Sequence, residues 1–432
     1  MKNKITLLLL LFLLVPVACG AMPLTLEQCI RQGLTNNPEI QAYQFAVEEA
    51  DEAINVSWGA FLPTLSVDYR KGQLQNDTKG ERDTDYLDQD SETLSVRLNQ
   101  TLFAGFSGVA SLKKARQSKQ YHQYELEYIR LEVAQKIRTS YLDILQQQQL
   151  QAKWQESIKR LQRQLKIATA WVEQKLAPKL RVLEVEVELA NARQQLVTTQ
   201  ANLKIAKATL RQLLSIGPDE KITIQPLAEE SCLPQTFQAL RQCVDLAKHQ
   251  RPELQMVKLA VEMAQQDAKI ILARNMPRAD FDVAWVDYNR DYSNSRYIDT
   301  DRKYYSANLT LSMKFFQGGR NLFAWRQQRV TIKRLQQRQR SQNNEIVQQV
   351  QSRYHQYIEA KAQIETAAKG LKEAQEAYRM SDKSARLGVL SLGDLLDTEL
   401  RLTRAEINVI NSRFSLLKAK VLLDRAIGTP VI

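Results

Sequence analysis

The chain carries one long pattern twice, and this duplication restricts the folds open to it more than any other feature. Leu26 to Gln41 reads LEQCIRQGLTNNPEIQ, and Leu240 to Gln255 reads LRQCVDLAKHQRPELQ. Leu26/Leu240, Gln28/Gln242, Cys29/Cys243, Pro38/Pro252, Glu39/Glu253 and Gln41/Gln255 all stand at one constant offset. Further along, Pro63 answers Pro277, Phe103 answers Phe316, Gly105 answers Gly318, Tyr141 answers Tyr354 and Glu186 answers Glu399. The repeat is far longer than a solenoid unit. It predicts one duplicated domain, its halves building the same unit about a pseudo-two-fold axis.

The expected layout is a signal peptide over residues 1–20, a first repeat over 21–217, a linker over 218–237, a second repeat over 238–428 and a tail over 429–432. The opening MKNKITLLLLLFLLVPVACGAMP sets two lysines before an apolar run from Ile5 to Val15, then small residues. That run is too short to span a bilayer as a helix and has the form of an export signal. Cys19 follows Ala18 and is a candidate for lipidation, although Pro16 stands where a lipobox prefers Leu. Ordinary cleavage after Gly20 or Ala21 is the alternative. Beyond the signal, Cys232 and Cys243 are the local candidates for a disulfide in an oxidising compartment, against the alternative of buried thiols.

Three scattered histidines, His122, His249 and His355, offer no metal site, and no cofactor is expected. The formal charge is +12. Its Lys and Arg are spread between Gln and Glu along helices without interleaved aromatics, which argues against nucleic acid. No Gly-rich phosphate loop and no Ser–His–Asp spacing is present, so an enzyme is not expected. Glu184, Glu186 and Glu188 cannot converge on one bond, because helix residues two apart point to different faces.

Helical periodicity dominates. It predicts a helix from about Thr25 to Gly59, capped by Thr25 with Gln28, and ended by Pro63. Leu65, Val67 and Tyr69 then alternate with polar residues as a strand does, and Leu94, Val96 and Leu98 do the same. The polar stretch between, Lys71 to Glu92, is expected to be a long exposed loop. Helix resumes near Gly105, breaks at Ala177–Pro178, and runs on to about Leu214. The second half predicts a helix from about Gln238 to Asn275 and a strand marked by Phe281, Val283 and Trp285. A polar loop from Tyr288 to Tyr305, a strand from Asn308 to Phe315, a long helix to Arg386, a break from Leu387 to Gly393 and a last helix to Ile427 follow.

At ~1.5 Å per residue the two long helices reach ~100 Å, and in each half the two shorter helices sum to that length. Such helices suit a tube or a rod. The strands favour the tube: four amphipathic strands, each long enough to cross a hydrocarbon layer, suit a barrel with lipid outside and water inside. Four strands cannot close one, and an open edge in lipid leaves backbone groups unpaired at several kcal/mol each. The edges must be paired by other copies of the chain. The fold class expected is therefore mainly α with a membrane β-barrel.

The opening LxxCIxxxLxxNPEI, the junction FLPTLSVD, TLFAGF with its partner KFFQGGR, the segment RLGVLSLGDLLDTELRLTRAE and the terminal AIG together resemble the TolC family of outer-membrane efflux proteins. The resemblance covers essentially the whole mature chain. It implies a homotrimer in the outer membrane of a Gram-negative bacterium, closing a twelve-stranded barrel in outer-membrane lipid. An α-helical barrel would extend into the periplasm and dock an adaptor protein and an inner-membrane transporter. It implies a passive exit duct for drugs or other small molecules, with protein secretion and heavy-metal efflux as alternatives. A non-channel periplasmic coiled-coil adaptor is the rival from another class.

By the same resemblance, the turns at Gln174–Leu183 and Leu387–Leu396 form the periplasmic aperture. Asp394 and Asp397 match the family's acidic positions and would stack carboxylate rings that favour cations. The alternative is helix N-terminal charge, worth about 0.3–1 kcal/mol each. Where the family's gates carry Tyr, Arg and Asp, this chain has Ala385, Leu390 and Arg181. Arg181 and Arg386 are therefore candidates for a different lock, with Leu390 and Leu392 as an apolar alternative. Leu176, Ala177, Pro178 and Leu180 at one turn, and Leu387, Gly388 and Val389 at the other, are the expected adaptor contacts. Gly388 matches the family's turn glycine, and its first-half counterpart is expected near Ala177–Pro178.

Overall fold

A computed structural model describes residues 24–79, 84–218, 220, 222–226, 239–292, 298–387 and 389–429. The expected signal segment with Cys19, Cys232 of the expected linker and Gly388 of the expected second turn lie outside the described residues. The elements run α1 (Leu26–Asn36), α2 (Pro38–Gly59), β1 (Thr64–Lys79), β2 (Thr84–Ala104), α3 (Ser107–Glu173), α4 (Leu180–Leu214), then α5 (Leu240–Gln250), α6 (Pro252–Ala273), β3 (Arg278–Tyr292), β4 (Thr300–Ser312), α7 (Arg320–Arg386) and α8 (Leu392–Ile427). The duplication is legible in the lengths: 11 and 11 residues for α1 and α5, 22 and 22 for α2 and α6, 67 and 67 for α3 and α7.

Each single opening helix expected from the sequence is in fact two. Asn37 is extended at φ −67°, ψ 122°, and Arg251 at φ −74°, ψ 120°. Both precede a proline, whose ring clashes with a helical residue before it. The capping box at Thr25 is present, its hydroxyl accepting from the Gln28 N–H while the Gln28 side chain accepts from the Thr25 N–H.

The strands form one antiparallel sheet in the order β1-β2-β3-β4. The two expected loops are largely strand. β1 and β2 stay paired out to Lys79 and Thr84, and β3 reaches Tyr292 before β4 begins at Thr300. A β ladder is made by backbone groups, so a polar run without apolar alternation can extend it as well as interrupt it. At the other end the sheet stops earlier than expected. β4 ends at Ser312, paired with Arg278, because Pro277 comes next on the partner strand and has no N–H to offer.

Registers align the apolar rows across all four strands: Leu65–Leu98–Val283–Ala307, then Val67–Val96–Trp285–Tyr305. The edge residues Leu65, Val67 and Tyr305 of these rows are exposed, as is Leu309 further along β4. Among the described residues no helix is long and apolar enough to cross a membrane. At the exit from β2, Gly105 has φ +61°, and a Cβ there would meet the Met276 Cβ at 2.7 Å and the Ala273 carbonyl at 2.8 Å. Only glycine fits that approach.

The chain divides into two compact units. One comprises Met1–Asn37, Val133–Phe237 and His355–Leu422; the other comprises Pro38–Glu132, Gln238–Tyr354 and Leu423–Ile432. In the first, Leu24 bridges Ile224 in parallel, and the Tyr141 hydroxyl donates within reach of the carbonyls of Leu24 (3.2 Å) and Gln225 (2.5 Å). Tyr141 is 1% exposed, and burial pushes its pKa up to about 12. Beside it Cys29 is fully buried, its thiol pushed up to about 11 by burial. Cys243 occupies the matching place in α5 and is also buried, with a pKa raised by burial. In the second unit, Glu253 receives Arg251 at 2.5 Å and Arg425 at 3.3 Å. Burial alone would raise its pKa, but these two guanidinium groups outweigh burial and lower it.

Candidate functional site

The two turns that reverse α3 into α4 and α7 into α8 lie in the first unit. Both are closed by the same bond from five residues back: Leu176 N–H donates to the Trp171 carbonyl at 2.8 Å, and Val389 N–H donates to the Ser384 carbonyl at 3.0 Å. This bond marks a helix stop with one left-handed residue. In the first turn that residue is Lys175, at φ +58°. By the offset that relates Tyr141 to Tyr354, Lys175 aligns with Gly388, two residues before the expected Ala177–Pro178. A lysine in a left-handed position carries no sequence signal; the spacing from Tyr141 and Tyr354, applied to Gly388, would have found it.

Pro178 then presets the chain for α4, the Arg181 N–H donating to its carbonyl at 3.0 Å. In the second turn Ser391 caps α8. Asp394 N–H donates to the Ser391 hydroxyl at 3.1 Å, and that hydroxyl donates to the Asp394 carboxylate at 2.6 Å. Asp394 is therefore a residue of the first turn of α8. Asp397, one turn on, receives Arg401 at 3.2 Å and is 67% exposed at its side chain.

Arg181 brings the turns together. Its guanidinium donates to Glu184 at 2.8 Å and covers Gly393 at the start of α8. A groove of about 510 Å³ opens there, lined by Arg181, Leu183, Val187, Asp394, Asp397 and Leu400 among others. Arg386 is not brought into the groove: it pairs with Asp382 of its own helix at 2.7 Å. Leu390 is half-buried and Leu392 buried. Leu176, Leu180, Leu387 and Val389 are 59–81% exposed. Pro178 is exposed and Ala177 half-buried.

Above the turns lies a charged cluster that the sequence did not single out. Glu399 is fully buried between α3 and α8 and receives Arg160 Nε at 2.6 Å and the Thr403 hydroxyl at 3.1 Å. Arg160 also reaches Glu406 at 3.0 Å, and Ser157 meets Thr403 at 3.1 Å. The Glu399 Oε2 has no hydrogen-bond partner. Burial raises the pKa of Glu399, and Arg160 opposes the rise without cancelling it. Beneath it Leu161 of α3 joins Val185, Leu189 and Ala192 of α4 and Leu396 of α8 in one apolar cluster.

Similarity to known proteins follows the same division. The model of the outer membrane efflux protein family matches residues 29–215 and again residues 243–429. Outer membrane efflux protein BepC of Brucella suis is 22% identical over 416 residues, which is 93% of this chain and 86% of that protein. Outer membrane protein TolC of Escherichia coli is 21% identical over 415 residues, covering 94% and 82%. The crystal structure of the outer membrane protein VceC of Vibrio cholerae superposes with a TM-score of 0.79 at 13% identity, covering 93% of this chain and 96% of that one.

Proposed function

The chain belongs to the outer membrane efflux protein family, and from that premise we propose that three copies join into one passive exit duct. Outer-membrane efflux is the function of this family, and the chain is an outer-membrane protein. The observation that carries the trimer is the sheet: apolar rows cross all four strands, while β1 and β4 are edges without a strand partner among the described residues. An edge in lipid costs several kcal/mol per unpaired group, so closure by other copies into a twelve-stranded barrel is the least costly resolution. No step of catalysis is assigned to any residue.

In this reading the turns form the periplasmic aperture. Asp394 and Asp397 would stand in rings favouring cations, alongside the contact that Asp394 makes with the capping Ser391. The exposed aliphatic side chains of Leu176, Leu180, Leu387 and Val389 suit a helical hairpin of an adaptor, which would couple the duct to an inner-membrane transporter. The cargo is assigned to drugs or other small molecules, with selection made at the pump.

Planar bilayers test the reading. Purified protein should conduct as a trimer with cation preference, and the double change D394N/D397N should lower that preference and weaken block by divalent cations. Unchanged selectivity would remove the pair from the pore; absence of conductance and of trimers would remove the duct itself.

A further inference from the structure

The duplication makes an interface visible that one chain leaves open. Helices α3 and α7 correspond residue for residue, since Ser107 aligns with Arg320 and Glu173 with Arg386. At the same offset α4 corresponds to α8, with Leu214 on Ile427. The α8 face seated on α3 is buried: Leu396 at 8% exposed, Glu399 at 0%, Thr403 at 4%, Glu406 at 8% and Ile410 at 8%. Its equivalents on α4 are Leu183, Glu186, Ala190, Arg193 and Val197, and every one is exposed. On α7 the equivalents of Ser157 and Arg160 are Gly370 and Glu373, and both are exposed too.

Two details show what covers these faces. The first is charge. Arg160 of α3 pairs with Glu406 of α8, and at the equivalent positions α7 has Glu373 and α4 has Arg193. The signs are exchanged, so the two positions are complementary in reverse. Neither Arg193 nor Glu373 has an ion-pair partner among the described residues of one chain. The second is Gly370, inside a 67-residue helix, with nothing within 4 Å of where its Cβ would stand. Glycine in a helix interior costs about 1 kcal/mol against alanine. Its equivalent Ser157 is 1% exposed, its hydroxyl 3.1 Å from that of Thr403 where α8 seats on α3. The small residue therefore fits a second helix laid equally close.

We propose that α4 of one copy seats on α7 of the next, with Arg193 against Glu373 and Ala190 against Gly370, repeating between copies the α3–α8 seam within one chain. The proposal rests on the trimeric reading and adds the residue register to it. A face on α4 meeting a different face on α7 is a head-to-tail contact, the kind that closes rings. The exchanged charges also set the order. An α4 face offered to α3 would bring Arg193 to Arg160, and an α8 face offered to α7 would bring Glu406 to Glu373. Both mismatches repel, so each short helix is steered to its own long helix.

Charge reversal and cross-linking test the register. R193E and E373R should each lower the trimer fraction at fixed concentration, roughly tenfold for a desolvated interfacial pair. The double reversal R193E/E373R should restore it. A190C/G370C should give covalent dimers and trimers on mild oxidation, which reductant dissolves. Trimers with no such cross-link, and with single reversals that the double does not rescue, would overturn the register while leaving the trimer standing. Protein of monomer mass throughout would overturn the trimeric reading beneath it.

Discussion

The guanidinium of Arg181 lies directly over Gly393, so that a Cβ on Gly393 would come within 2.5 Å of its Nη1 and 3.0 Å of its Cζ. This is a contact between the two turns, made by a side chain of α4 on the backbone of α8. The missing side chain at Gly393 is its condition.

Substituting Gly393 by alanine should therefore separate gating from stability. Alanine favours the first turn of α8 by up to about 1 kcal/mol over glycine, yet it displaces Arg181. The variant should be no less stable but should open more often in planar bilayers. R181A should do the same, and the double variant should open no more than either single one. Additive effects would mean that the two residues act separately.

Lys175 holds a left-handed conformation that costs a residue with a Cβ about 1–2 kcal/mol. After the entropy that glycine loses on folding is set against this, K175G should stabilise the first turn by about 0.5–1 kcal/mol. Thermal unfolding followed by helical circular dichroism should show a higher midpoint. A lower one would mean that the lysine side chain makes a contact worth more than the strain.

The raised pKa of Glu399 gives a signed pH dependence. An acid whose pKa is higher folded than unfolded binds its proton more readily in the fold, so its contribution to stability falls as pH rises. The window begins at the ordinary carboxylate value of 4.5 and extends upward. The E399Q variant should gain stability relative to the parent as pH climbs from about 4.5 toward neutrality, and the two should converge at acid pH. A parallel pair of midpoint curves would show that Arg160 keeps the carboxylate charged throughout. Glu253 works in the opposite sense: its lowered pKa adds stability above the ordinary carboxylate range that is lost on acidification.

The first hairpin offers a topological check. An epitope inserted between Lys79 and Thr84 follows the last ladder pair and should leave assembly intact, with antibody binding on whole cells. The same epitope inserted after Asn76 interrupts the ladder beside the Asn76–Leu87 pair and should lower the yield of assembled protein. Binding only after the outer membrane is permeabilised would reverse the topology.

Much of this protein is determined by sequence alone, because the determinants are local. The duplication, the helix breaks around Pro63 and Pro277, the capping box at Thr25 and the alternation of Leu65, Val67 and Tyr69 each act within a few residues. Pro38 and Pro252 carried their message equally plainly, and it is their neighbours Asn37 and Arg251 that leave the helix. Tertiary structure decided what depends on a partner far along the chain. Lys71 to Lys79 is strand because Thr84 to Glu92 lies opposite and supplies backbone partners, a condition that side-chain polarity does not report. Glu399 and Glu186 are the same residue at the same place in the repeat, yet one is sealed under Arg160 and the other faces solvent. Burial is set by which helix lies alongside, and in a single chain α3 lies beside α8 whereas the matching face of α4 stands open.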